Sequence, residues 1–324
     1  MKSRLTEKIE ENIPPQYKAI PYLMDILDIG RESAYRRLRG EIQFSFEEVA
    51  KLAYNLGFSL DEIINGEKIN RTFLDFLVRH PDPIDSFIAM FKKYTHIIDY
   101  VTETDHAVMV ASVNRLPLYL MSTNDALFKF YYLNYLYQLQ GDEVFTTCSF
   151  SNVNFPPEVV AIRERFAEQL INIRQFVFVV SKGLFLNVCR EIQYFYNRNF
   201  LSKKEVSIIQ DALFELVESM KKTMQSGESI FDTRHLFYLS YMDISANSAC
   251  VSYGEDVIAQ FWIYGPNFIE VRNQEVCYMY KEWFEYLKRY AVMISMSNEM
   301  FRIKFFDMQC RYIENVTKEF SYFE

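Results

Sequence analysis

The stretch that most constrains this chain runs from Ala19 to Gly40. Ile20, Leu23, Met24 and Leu27 recur at i, i+3, i+4 and i+7, the spacing of one helix face. The pattern breaks at Asp28-Ile29-Gly30, resumes as Arg31 to Arg39, and stops at Gly40. Two short helices joined by a tight turn are predicted. On a wheel of about 100° per residue, Ala34 and Leu38 of the second helix fall together and face inward. Glu32, Ser33 and Arg36 fall opposite, Arg37 and Arg39 flank them, and Arg31 sits in the first turn.

Further start signals follow. Ser45-Phe-Glu-Glu48 and Ser59-Leu-Asp-Glu62 each read as a capping box, with Ser at N-cap and Glu at N3. The first opens a helix with Val49, Leu52 and Ala53 on one face. The second opens a short helix with Leu60, Ile63 and Ile64 apolar. Gly57 between them suits a helix stop.

The second helix of the pair holds four arginines in nine residues, although the 324-residue chain carries a net charge of −8. An anion-binding surface here must therefore be a local patch and not a basic domain. A charge run taken alone is usually a solvated helix face. Placed directly after such a turn, the same residues suit DNA. Arginine pairs bidentately with guanine and glutamate accepts from cytosine.

Leu23 to Ile63, LMDILDIGRESAYRRLRGEIQFSFEEVAKLAYNLGFSLDEI, resembles the Cro/CI (XRE-type) helix-turn-helix domain. The resemblance implies a first helix at 19–27, a turn at 28–30, a recognition helix at 31–39 and a glycine at Gly40. It implies packing positions at Leu23, Leu27, Ile29, Ala34, Leu38, Val49 and Leu52. Three positions depart from the family pattern. Asp28 stands where glycine is usual, Ile20 where a polar residue is usual, and Arg37 where an apolar residue is common. The SAYRRLRGE phrasing, with the segments Ser112 to Tyr132 and Glu275 to Ser295, is similar to a Bacteroidetes-type group of regulators. That group carries such a domain ahead of a long uncharacterised C-terminal region.

Beyond residue 70, Thr72 to Arg79 reads as a short helix before Pro81-Asp-Pro83. Ile84, Phe87, Phe91, Tyr94, Ile98 and Val101 then repeat as an a/d stripe over nearly three heptads. Two readings stand: a helix packed on the downstream region, or a linker helix pairing two protomers. His106 to Leu120 reads as strand and loop, and Asn124 to Leu139 as a buried aromatic helix. Pro156-Pro157 opens a helix to about Ile173. Residues 175–197 read as a further helix, with a strand at Phe176 to Val180 as the alternative. Ser202-Lys-Lys-Glu205 is another capping box. From His235 to Val271 the alternation suggests three or four mostly antiparallel strands, followed by helices at 273–292 and 297–318.

No apolar run approaches the length that spans a bilayer, and MKSRLTEKIEEN lacks a signal core. A cytoplasmic protein is expected. The five cysteines are widely spaced and read as buried thiols, without a metal-ligand grouping. No P-loop, G-x-S-x-G or G-x-G-x-x-G occurs, so neither an enzyme nor a cofactor is expected.

The expected fold is multi-domain. An all-α lambda-repressor-like helix-turn-helix domain (1–70) and linker helices with a dimerisation role (71–104) precede a mostly helical α+β region with a small sheet (105–324). The expected function is a sequence-specific transcriptional regulator that binds double-stranded DNA as a homodimer. Arg36, Glu32 and Ser33 are assigned to base edges, Arg31, Arg37 and Arg39 to phosphates, and Tyr35 to the same surface. Residues 105–324 would sense a small-molecule or protein effector, with the aromatics of 124–139 and the 235–271 strands as the candidate lining. The alternative is a protein-interaction module whose helix pair serves docking.

Overall fold

The computed structural model describes residues 4–14, 17–58, 60, 63, 75–76, 81–102, 106–229, 233–244, 247–264 and 267–318. The chain divides into two compact units, Met1–Phe73 and Leu74–Glu324. Among the described residues no helix is long and apolar enough to cross a membrane.

The described helices of the first unit are α1 (Arg4–Asn12), α2 (Ala19–Leu27), α3 (Arg31–Leu38) and α4 (Phe46–Leu56). Their core is Ile9, Leu23, Leu27, Ala34, Leu38, Leu52, Leu56 and Phe58, with Ile29 packed at its edge. Val49 is half-buried and stands outside this cluster. Helix α1 was not anticipated. It joins the core through Ile9, with Leu5 and Ile13 beside it. The α2–α3 turn needs one left-handed residue, and Asp28 supplies it at φ 53°, ψ 50°. Aspartate tolerates that conformation better than most residues, so the glycine usual at this place is dispensable. Helix α4 begins on a complete capping box. The Ser45 hydroxyl accepts from the Glu48 N–H at 3.2 Å, and the Ser45 N–H donates to Glu48 Oε2 at 2.9 Å. Gly57 ends it at φ 70°. Of the second expected box, Ser59, Asp61 and Glu62 lie outside the described residues; Leu60 and Ile63 pack against the core.

The second unit is built on an eight-stranded mixed sheet, larger than the small sheet expected. Its strands are β1 (Asp75–Phe76), β2 (Val108–Val113), β3 (Gln175–Val180), β4 (Arg234–Ser240), β5 (Ser248–Tyr253), β6 (Asp256–Tyr264), β7 (Asn267–Val271) and β8 (Ala291–Met293). Their order is β1-β7-β6-β5-β2-β3-β4-β8. β2, β3 and β4 run parallel, and the other pairings are antiparallel. Residues 175–180 are therefore strand and not the start of a helix. A strand flanked by parallel neighbours is buried on both faces and reads as a continuous apolar run; the helix begins only at Leu186. Asp75–Phe76 likewise pairs with β7, where a helix was expected.

Helix α5 (Pro83–Thr102) carries the heptad stripe. Phe87, Phe91, Tyr94, Ile98 and Val101 are all buried within the second unit's own core. Phe87 packs on Tyr132 and Phe91 on Phe166. Ile84 is exposed, and from Phe87 on the stripe packs inside the unit, as the first of the two readings has it; this part of the seam is not left to pair protomers. Helix α6 (Lys203–Ser226) repeats the capping-box device: the Ser202 N–H donates to Glu205 Oε2 at 2.8 Å, and the helix ends at Gly227, φ 81°. Of the cysteines, Cys189, Cys250 and Cys277 are buried, whereas Cys148 and Cys310 are half-buried.

His235 on β4 is 2% exposed and lies against Phe176, with ring centroids 4.8 Å apart. Its Nε2 meets the Tyr119 hydroxyl at 3.2 Å. Burial lowers the imidazole pKa to about 4. The unfolded chain, with an imidazole near 6.5, therefore takes up the proton first. Stability given by the neutral imidazole is complete above that upper value and is lost as pH falls through the window. Relative to His235→Phe, the wild type is expected to lose roughly 3 kcal/mol between about pH 6.5 and 4. Urea unfolding at a series of pH values measures this, and parallel curves for the two proteins would refute it.

Candidate nucleic-acid interface

Helix α3 presents the seven residues expected to meet DNA, but not equally. Arg31, Glu32, Tyr35, Arg36 and Arg39 are exposed, and Ser33 and Arg37 are half-buried. Ala34 and Leu38, 0% and 7% exposed, hold the helix to the core. The wheel thus places the inward and outward faces correctly. The short turn and the buried stripe leave the face around Arg36 open to solvent.

Arg37, expected at a phosphate, is engaged within the unit. It borders the buried stripe and turns toward α4. Its Nε donates to Glu48 Oε2 at 3.1 Å and its Nη2 to Glu48 Oε1 at 2.9 Å. Its Nη1 donates to Ser33 Oγ at 2.5 Å. The two side chains of the ion pair are only 15% and 18% exposed. Burial alone would raise the Glu48 pKa. Hydrogen bonds from Arg37 and the Ser45 N–H outweigh it and hold the carboxyl below its ordinary range. The capping-box carboxylate is therefore also the clamp that fixes α3 against α4. The bidentate fork is the geometry arginine is suited to. Ser33, assigned to base edges, has one lone pair engaged by Arg37 and keeps its hydroxyl proton to donate.

Arg36 and Arg39 share a neighbour that the sequence reading missed. Glu41, just past Gly40, lies 3.4 Å from Arg36 Nε and 3.8 Å from Arg39 Nη1. These side chains are about half exposed, and such pairs contribute roughly 0–1 kcal/mol. A phosphate can replace that partner at little cost. The Arg39 guanidinium also stands 5.2 Å from the centroid of the Tyr35 ring. Arg31, Tyr35 and Arg39 line an open groove beside α2 with Lys18; Glu10, Asp25 and Asp28 on the same rim balance its charge. A signal for Glu41 was present, since it follows the helix-ending glycine. A signal for the Arg37 clamp was present too, as an arginine at an otherwise apolar position.

The geometry defines a small helical unit with one arginine-bearing helix pinned along one edge and open along the other. A family model described as BetR domain matches residues 2–71. No curated protein and no solved structure matches the chain. The family match and the arginine helix fall in the same unit.

Removing either partner of the clamp leaves the other half-buried and unpaired. Arg37→Ala and Glu48→Ala are each expected to destabilise the first unit by about 1–3 kcal/mol. The double variant should cost less than their sum, because the two act as one contact. Chemical unfolding of the four proteins tests this, and strict additivity would dissolve the clamp.

Proposed function

We propose that this chain is a sequence-specific transcriptional regulator that works in the cytoplasm on double-stranded DNA. In this reading α2 and α3 form a lambda-repressor-like helix-turn-helix of the XRE type, and α3 enters the major groove. Arg36 and Glu32 reach base edges, with Ser33 beside them. Arg39 and Arg31 contact phosphates, Tyr35 packs alongside, and Arg37 positions the helix. The second unit senses an effector and brings two copies together. Its pairing surface lies elsewhere than on the α5 stripe, which from Phe87 on is buried in its own unit. No catalytic step is assigned to any residue.

The observation that carries this reading is the open row of Glu32, Arg36 and Arg39 on a helix that follows a three-residue turn. The buried Ala34/Leu38 stripe makes that row the face left for a partner. Phosphate contacts position a protein on the duplex, and base contacts specify the site. Arg36→Ala is accordingly expected to weaken specific binding by roughly 1–3 kcal/mol and to relax preference at one base position. Arg39→Ala should weaken binding uniformly and lower the salt slope by about one. Mobility-shift titrations across salt read both effects. Binding that neither substitution alters would overturn this reading face.

A second reading is favoured by Phe46 and Tyr54 on α4, 77% and 89% exposed. Large exposed apolar groups suit a protein partner, and the first unit would then be a docking module. Selection from random duplexes separates the two. An enriched motif supports the regulator, and no enrichment together with a stoichiometric protein partner supports the module.

A further inference from the structure

The sheet of the second unit carries a gap in side-chain size at its centre. Phe178, Ala111, Ala249 and Gln260 stand in register on β3, β2, β5 and β6. The two alanines are 2% and 0% exposed. Of the two methyl groups between the phenyl ring and the glutamine, that of Ala111 borders open space. This space is a cavity of about 110 Å³, lined by Phe178, Ala111 and Gln260 among others.

The cavity's shape and chemistry narrow what fits. Its walls include Tyr94, Tyr119, Tyr131, Phe166, Phe176 and Trp262. The Tyr119 ring stacks parallel on Phe176, with centroids 5.3 Å apart and 5° between their planes, so aromatic groups bound that side. An apolar cavity of ~150 Å³ accepts benzene, which limits the occupant to about one ring. The charged residues in the lining are Arg115 and Glu191, and they pair with each other. The second Glu191 oxygen accepts from Asn134 Nδ2 at 2.9 Å. The lining therefore asks for no net charge on the occupant.

Two polar groups lack such partners. Gln260 is 3% exposed, and no hydrogen bond ties its side-chain amide to another described residue. The same holds for the Tyr131 hydroxyl, which burial keeps protonated and so able to donate. An amide without a protein partner that borders a cavity can be served by water or by an occupant. Facing a cavity, it offers one donor and one acceptor side by side.

We propose that this cavity binds a small, flat, uncharged ring compound whose amide-type donor–acceptor edge pairs with Gln260. As the effector site of a regulator, the cavity rests on the function proposed above; its occupancy does not.

The test is direct binding of benzamide to the full chain by titration calorimetry, with toluene and benzoate as comparators. Benzamide is expected to bind most tightly. Gln260→Leu, which keeps the volume and removes the edge, should weaken benzamide roughly tenfold, the worth of about one hydrogen-bonded contact, and leave toluene unaffected. Ala111→Leu, which fills the space beside it, should abolish binding of both. No binding of any ring, tighter binding of benzoate or toluene than of benzamide, or benzamide affinity unchanged in Gln260→Leu would each overturn the proposal. Should Ala111→Leu fail to fold, Gln260→Leu alone decides. A chain that binds benzamide yet enriches no duplex overturns the regulator and upholds the cavity. A chain that enriches a duplex and binds no ring overturns the cavity alone.

Discussion

The carboxylate of Glu48 closes the α4 capping box with one oxygen and grips Arg37 with both. A carboxylate has about four acceptor positions, and a capping box uses only one. The same economy recurs in the second unit. Glu205 caps α6 through the Ser202 N–H and also accepts from the Ser151 N–H at 3.0 Å and the Ser151 hydroxyl at 2.6 Å. A local start signal thereby becomes a tertiary joint. In the first unit that joint sets the pose of the arginine helix, so the outward direction of Arg36 depends on a residue eleven positions beyond Arg37.

In the second unit the controlling constraint is the sheet. Its middle is parallel and its flanks are antiparallel, which gathers β2 and β3 from segments far from the 235–271 run. Helix α5 lies on the same face as the cavity, and its heptad spacing serves to pack against aromatic neighbours. The small side chain of Ala111 marks where that packing leaves a cavity.

How much of this was legible in the sequence followed the range of each interaction. The helix pair, its turn and the Ser45 and Ser202 boxes rest on contacts within a few residues, and they read correctly. Phe176–Val180 stayed open between helix and strand, because an apolar run buried on both faces lacks the alternation that marks a strand. The Ile84–Val101 stripe showed that a seam existed without naming its partner, since an a/d pattern suits a neighbouring helix of the same chain equally well. In the candidate interface, the outward residues were readable from the wheel. The Arg37–Glu48 pair was not legible, because Glu48 already had a complete local role in the capping box. Glu41 lay beyond the glycine that ends the helix, outside the wheel altogether.

Glu41 gives the arginine patch a property that counting positive charges conceals. Arg36 and Arg39 already have an anion between them. Any incoming anion must therefore outcompete a tethered carboxylate for the same guanidinium groups. A simple monovalent anion has little advantage in that exchange, whereas a polyanion engaging Arg31, Arg36 and Arg39 together does. Because each such exposed pair contributes only roughly 0–1 kcal/mol, the carboxylate is a weak built-in competitor, displaced more readily by a multidentate anion than by one that meets a single guanidinium.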